Sequence, residues 1–323
     1  MMRLSFLKAG LLCLAVVGTA APARAADLDK FMPKETDLVI SLNVRQLLDS
    51  QIVKKNALEL IKTALASNKD VQKLIEAIGL DPLKDFNRIS LAMGLEDVSN
   101  PKAIFVIDGR FDVKKIDDTM EMLVKSEPKV YAVDKVGGKT VYKVTTPNQP
   151  TPMFAAPIDG TVMAFASSKE LLAGAFEAAA GTRQVVLKKE VADLLAKADA
   201  KSSMYIVAQT KGRLDAIPLP DPEMKKIIEQ VVSITADVKI EKDVEIEFAI
   251  GTSTAEEAKK MRELVGGGLE LAKVQVKVAI AQQPELQPIV DLVNSMAAVQ
   301  KDKAVVINGK LPGTAIEKLF DKK

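Results

Sequence analysis

The chain repeatedly places two short runs of alternating apolar and polar residues on either side of a turn signal. The clearest example is "KVYAVDKVGGKTVYKVT", in which Gly137 and Gly138 separate two runs rich in Val and Tyr. Alternation is typical of half-buried strands, and Gly-Gly suits a tight turn because glycine adopts positive φ without a Cβ clash. A phosphate-binding loop would need a glycine where the chain has Val133, and a helix after the loop. We therefore predict a hairpin here.

Similar strand–turn–strand patterns occur in residues 87–111, 151–167, 233–252 and 297–311. Between them, apolar residues recur at steps of three and four, which is the spacing of an amphipathic helix. One such region runs from Val53 to Ile78, and Gly79 is placed to end it. Hairpin-linked strands that alternate with helices predict an α+β fold of mainly antiparallel sheet with long amphipathic helices.

The order of these patterns occurs twice along the chain. "RISLAMGLEDVSNPKAIFVIDGRFDVKKIDDTMEML" has the order strand, turn, strand, helix, and "SITADVKIEKDVEIEFAIGTSTAEEAKKMREL" has the same order. We predict two related α+β units, residues 26–183 and 184–323, with a linking helix over 184–200. An internal duplication would explain the repeated order.

The segment 270–282 fits both kinds of regular structure. Val274, Val276 and Val278 alternate as a strand would, but the spacing from Met261 onward also continues a helix. No turn residue separates Leu269 from Val274, which favours one long helix with a weak point at Gly266–Gly268. We interpret the three glycines as a close packing contact or a kink.

The first 25 residues predict export. Arg3 and Lys8 stand beside the apolar run "AGLLCLAVVGTAA", and small residues at Ala23 and Ala25 predict cleavage between Ala25 and Ala26. This order of charge, apolar core and small residues is typical of a secretory signal peptide. No later segment is apolar over a membrane-spanning length. We predict a periplasmic or extracellular protein without an integral membrane segment after cleavage.

Composition excludes several kinds of chemistry. The chain has no His and no Trp, and its single Cys, Cys13, lies in the predicted leader. Triads with His, zinc sites with His or Cys, and disulfides therefore have no residues to form them. The leader contains three of the 45 Lys and Arg residues and none of the 43 Asp and Glu residues. Without it, 42 − 43 gives a net charge of −1. The chain then has no basic excess that would predict nucleic-acid binding. We predict no catalytic residue, cofactor or metal ligand.

Acidic pairs such as Asp117-Asp118 and Glu256-Glu257 stand beside Lys residues, which predicts local ion pairs on solvated helix faces. Calcium is the metal least excluded, but "EDVSN" and "PIDGT" lack the alternating oxygen ligands of a calcium loop. Acidic residues at such turns usually bond to the turn itself.

The most distinctive loop is "TKGRLDAIPLPDPEMKK". Pro218, Pro220 and Pro222 favour an extended backbone that does not join a sheet. We interpret it as a rigid connector, with docking of a partner as the alternative.

Three segments carry a resemblance: "FMPKETDLVISLNVRQLLDS", "IEAIGLDPLKDFNRISLAMG" and the late "PELQPIVDLVNSM" with "VVINGKLP". In their order they resemble a family of uncharacterised exported bacterial proteins, which has no assigned activity. The resemblance implies export and the duplicated plan. Our hypothesis is a non-enzymatic binding or structural protein of the cell envelope with an unknown envelope partner or self-association. The alternatives are a carboxylate- or calcium-dependent hydrolase and a carrier of a small apolar ligand.

Overall fold

We describe a computed structural model, which covers residues 28–67, 69–97, 100–145, 151–213, 222–283 and 287–320. The contacts divide the chain into two units. The first contains the described residues up to Leu48 together with Ala57–Lys188. The second contains Asp49–Asn56 and the chain from Lys189 onward.

Seven strands form the sheet of the first unit, and every paired neighbour in it is antiparallel. They lie in the order β1-β2-β3-β7-β6-β5-β4. Their bounds are β1 (Leu38–Leu42), β2 (Phe86–Met93), β3 (Ala103–Gly109), β4 (Tyr131–Val136), β5 (Lys139–Val144), β6 (Met153–Pro157) and β7 (Val162–Ala166). The mixed α+β class and the antiparallel pairing are as the sequence predicts.

Six helices start in the described residues of the first unit, and Leu28–Phe31 adds a 3₁₀ turn. They are α1 (Val44–Asp49), α2 (Leu58–Ser67), α3 (Lys69–Ile78), α4 (Pro82–Asp85), α5 (Val113–Ser126) and α6 (Lys169–Ala179). Asp112 begins α5 because its side chain accepts a hydrogen bond from the Lys115 N–H at 3.0 Å. The apolar face of α5 places Ile116 and Met120 against Tyr142 of β5.

Two local predictions are confirmed at glycines. Gly137 and Gly138 turn the β4–β5 hairpin with φ values of 54° and 78°, so the segment is not a phosphate-binding loop. Gly79 ends α3 with a φ of 67°, and the Leu80 N–H bonds to the carbonyl of Ile75. The predicted helical region is not one element, however. It begins with a π-helical turn, Val53–Ala57, and continues as α2 and α3 of ten residues each.

The second unit has a five-stranded sheet in the order β11-β12-β10-β9-β8, and all of its pairs are antiparallel. The strands are β8 (Met204–Gln209), β9 (Val231–Ile240), β10 (Val244–Thr252), β11 (Ala297–Lys301) and β12 (Ala304–Leu311). The helices are α7 (Lys189–Leu195), α8 (Pro222–Ile228), α9 (Ala255–Gln282), α10 (Gln287–Ser295) and α11 (Gly313–Phe320).

Asp49–Asn56 groups with the second unit through its packing. Ile52 lies in one apolar cluster with Leu311 and Ile316, and its N–H bonds to the carbonyl of Glu241 at 3.2 Å. Periodicity within the segment could not predict this, because the partners lie nearly 200 residues later in the chain or farther.

Residues 270–282 are helical. They form the second half of α9, one continuous helix of 28 residues, or about 42 Å at the usual rise per residue. Thr254 begins α9 with a capping box, in which its side chain accepts the Glu257 N–H and the Glu257 carboxylate accepts the Thr254 N–H. Across the described residues, helices that combine membrane-spanning length with sufficient apolar character are absent.

Candidate functional site

The inner face of α9 is packed into the second unit. Ala258 and Met261 are buried, with 0% and 4% of their surface exposed. Met261 contacts Val231 and Val305 in one cluster, against which Val265 also packs. This face accounts for the folding of the helix, because burial of an amphipathic face supplies most of a helix's stability in a protein.

The outer face of α9 is also apolar, and it is exposed. Five residues follow one another at steps of 3, 4, 3 and 4, and we call them the outer seam: Leu264, Gly267, Leu271, Val274 and Val278. The exposed fractions of the four side chains are 41%, 66%, 61% and 62%, in chain order. Steps of three and four place residues along one line of a helix, and this alternation is the spacing of a coiled-coil contact.

Charged side chains lie beside one edge of the outer seam. Glu270 directly precedes Leu271, and Lys277 directly precedes Val278. Glu270 makes an ion pair with Lys273 at 2.9 Å in its own helix, yet 73% of its side chain remains exposed. The opposite edge carries Gly268 and Gln275, which are uncharged. The seam is thus bordered by charge on one side only.

Gly266 and Gly268 flank the seam residue Gly267, and the described residues make no close packing contact with any of the three. No atom of the described residues lies within 4 Å of a Cβ added at Gly266, Gly267 or Gly268. The interpretation of the run as a close packing contact inside the fold is therefore wrong. Glycine in a helix interior costs about 0.5–1 kcal/mol relative to alanine. The cost is not offset by any close approach that the structure describes.

A second surface feature is a shallow polar groove of about 410 Å³ on the sheet of the second unit. Lys239, Glu245 and Lys310 face one another on three adjacent strands. The Glu245–Lys310 ion pair is 2.9 Å long, and Lys239 pairs with Asp199 at 2.6 Å. These are the alternating charges of a solvated sheet face.

Asp199, a carboxylate that lines this groove, does not have the electrostatics of a general acid. The hydrogen bond from Lys239, then one from the Lys201 N–H, lower the pKa of Asp199. A carboxyl that donates a proton at neutral pH needs a raised pKa. The hydrolase hypothesis gains no support from this groove.

The acidic pairs and the candidate calcium turn serve local structure. Asp118 pairs with Lys114 at 2.5 Å, whereas Asp117 accepts a hydrogen bond from the Tyr142 hydroxyl at 2.5 Å. Asp159 accepts the Thr161 N–H at 2.7 Å and so forms its own turn. Within the described ranges, no group of three or more acidic side chains is placed to hold a metal ion.

The predicted docking loop is only partly described. Pro218 and Pro220 lie outside the described residues, as do Ala25 and Ala26 of the predicted cleavage site. Pro222 is the first residue of α8 rather than part of an extended loop. Proline suits this position because its missing N–H has no helical partner there and its φ already fits the helix.

Comparison of the chain with protein-family models, with curated proteins and with solved structures found no match. The resemblance drawn from the sequence therefore stays a prediction, and the candidate site rests on the geometry of α9.

The sequence contains the outer seam, but spacing alone did not identify it. Met261, Val265, Leu269, Ala272 and Val276 account for the packed face. The remaining apolar residues are those of the seam. They also recur at steps of three and four, and this second series indicates a second apolar face. Interleaving of the two sets produced the strand-like alternation around residue 276.

Proposed function

We propose that this protein is an exported, non-enzymatic binding protein of the bacterial cell envelope, and that it binds an α-helix of a protein partner along the outer seam. The observation that carries the proposal is that α9 has two apolar faces, of which only the inner one is packed in its unit. Export rests on the leader pattern of residues 1–25, which favours the periplasm or the space outside the cell.

A helical partner suits the seam better than a small molecule or an extended peptide. Seam residues on a convex helix surface offer no enclosed cavity, which small ligands usually need. They also offer no unpaired strand edge for an extended peptide. A second helix can place its own apolar residues between those of the seam, at an axial distance of about 8–10 Å.

We propose further that the two units share one plan, as the repeated order of sequence patterns predicts. In each unit a helix follows the third strand, and the last strand then pairs with that third strand: β7 with β3, and β12 with β10. Between this helix and the last strand, the first unit has three strands and the second unit has one. The helices in this place are α5, with 14 residues, and α9, with 28. The extra length of α9 carries most of the seam.

Binding can be tested with a seam variant, L271K/V274K, and a matched control, M122K, which alters an exposed apolar residue of α5. The processed protein, tagged and expressed in its native envelope, is crosslinked, and the captured proteins are identified by mass spectrometry. Burying Leu271 and Val274 on binding should contribute about 1–2 kcal/mol each, and a lysine there should remove it. We expect capture by the wild type and M122K, and none by L271K/V274K.

An identified partner is then purified and its affinity for the three proteins measured directly. Loss of affinity in L271K/V274K alone supports the proposal. Equal capture and equal affinity for all three proteins would show that the seam is not the binding surface.

A further inference from the structure

We infer that the helix that binds the outer seam is α9 of a second copy of this chain, antiparallel to the first, with Glu270 of each copy beside Lys277 of the other. The inference rests on the proposed function, because it names the partner of the same seam. The observations behind it are the spacing of the seam, the charges at its edge and the position of Gly267.

The charges select the direction of the partner helix. In an antiparallel pair of coiled-coil helices, the same edge of the two seams meets. The edge that carries Glu270 and Lys277 in one copy therefore lies beside the edge that carries them in the other. If Leu271 faces Val274 of the second copy, Glu270 lies beside Lys277, and the two-fold symmetry creates this ion pair twice. In a parallel pair, Glu270 would instead lie beside Gln275, which is uncharged, and this ion pair would not form.

The charges also select the register. Shifting the antiparallel helices by one heptad in one direction brings the two copies of Glu270 together. A shift in the other direction brings the two copies of Lys277 together. Like charges at these positions repel. In the first shifted arrangement Glu263, which directly precedes Leu264, would lie beside Lys277 of the other copy, so two attractive contacts are offset by the repulsion between the two Glu270 side chains. The second shifted arrangement has no attractive contact to offset its repulsion. The register with Leu271 against Val274 is the one that has two attractive ionic contacts and no contact between like charges.

The glycine in the seam is consistent with this register. Gly267 faces Val278 of the second copy, so a missing side chain on one helix is matched by a branched one on the other. Open space around the three glycines lets the second backbone approach closely. A parallel pair would place Gly267 against Gly267 and leave a gap in the contact, which loses packing contacts on both sides.

The seam covers two heptads, which is a small interface. Contacts of this size bind weakly unless other surface joins them. We therefore expect an equilibrium between monomer and dimer in the micromolar range, and a dimer where the protein is concentrated.

Charge reversal in separate copies tests the pairing. E270K brings two lysines together at each ionic contact and K277E brings two glutamates together, so each variant alone should dimerise at least about tenfold more weakly than wild type. An equimolar mixture of E270K and K277E pairs opposite charges again, because one copy then carries two lysines at these positions and the other two glutamates. The control is K259E, a charge reversal on α9 away from the seam. Each processed protein is followed by sedimentation velocity up to about 200 μM, because weak interfaces need such concentrations.

We expect wild type and K259E to dimerise, E270K alone and K277E alone to remain monomeric over most of the range, and the mixture to recover the wild-type affinity. Recovery by mixing cannot arise from misfolding of either variant. A wild type that stays monomeric throughout overturns the inference, and so do single variants that dimerise as well as wild type or a mixture that gains nothing. If L271K/V274K nevertheless loses an identified partner of another sequence, the proposed function stands and only the second copy is refuted as that partner.

Discussion

Replacing Gly266, Gly267 and Gly268 together by alanine should stabilise the second unit, although the three residues stand in the middle of its longest helix. Each has a helical backbone, since all three lie inside the continuous helix α9, and none has a positive φ. Each would place its new Cβ in open space. The substitutions therefore remove a conformational cost without creating a clash.

The magnitude follows from helix propensity. Alanine is favoured over glycine by about 0.5–1 kcal/mol at an interior helix position, so three substitutions should add about 1.5–3 kcal/mol to the free energy of unfolding. For a unit of this size, 1 kcal/mol raises the Tm by about 2–4 °C. The expected rise is thus about 3–12 °C, in the transition in which α9 unfolds.

Thermal unfolding followed by circular dichroism at about 1 μM measures this without contribution from a weak dimer. The control is G138A in the β4–β5 turn, where an added Cβ would also meet no atom within 4 Å. There φ is 78°, and a side chain in the left-handed region costs about 1–2 kcal/mol. Substitutions into equally open space should therefore act with opposite signs.

A Tm that falls in the triple alanine variant would refute the reasoning. It would mean that other atoms already cover the glycine face in the monomer, and that the outer seam is not open for a partner. A rise in both the triple variant and G138A would show that open space rather than backbone conformation decides the effect.

Three further measurements test the fold and the leader. D37N should destabilise the first unit by about 2 kcal/mol in urea unfolding, because the Asp37 side chain is 3% exposed and holds Lys188 at 2.6 Å; an unchanged midpoint contradicts this. Burial, then the hydrogen bond to Asp117, raise the pKa of Tyr142. Folding thus favours the protonated phenol, and stability should fall above pH about 10, by up to about 1.4 kcal/mol per pH unit, a loss that Y142F should not show. The N-terminal sequence of the protein isolated from the envelope should begin at Ala26, and an intact N-terminus would contradict the predicted leader.

Elements whose causes are local could be predicted from the sequence. The β4–β5 hairpin follows from Gly137 and Gly138, and α5 follows from its Asp112 cap and the apolar steps after it. In these cases the interactions that form the element lie within a few residues of one another, so spacing and turn chemistry contain the information.

Elements whose causes are distant could not be predicted. Ile52 belongs to the second unit because of Leu311 and Ile316, and no pattern in residues 49–56 points to them. The helical region after Val53 is divided into a π-helical turn and two helices, and the apolar steps run through that division without change. Such boundaries depend on which residues are packed against the segment.

The outer seam combines both cases: its spacing is visible in the sequence, but whether it is buried depends on what packs against it. A helix that is apolar on both faces is normally buried on both, and the 264–280 region has the composition of such a helix. In its unit only the inner face is buried, and the outer residues Leu271, Val274 and Val278 are more than half exposed. A second helix over the outer face, as we propose, would bury these residues as the sequence pattern leads one to expect. The opposite charges of Glu270 and Lys277, seven residues apart along one edge, are those that an antiparallel copy of the same helix would neutralise.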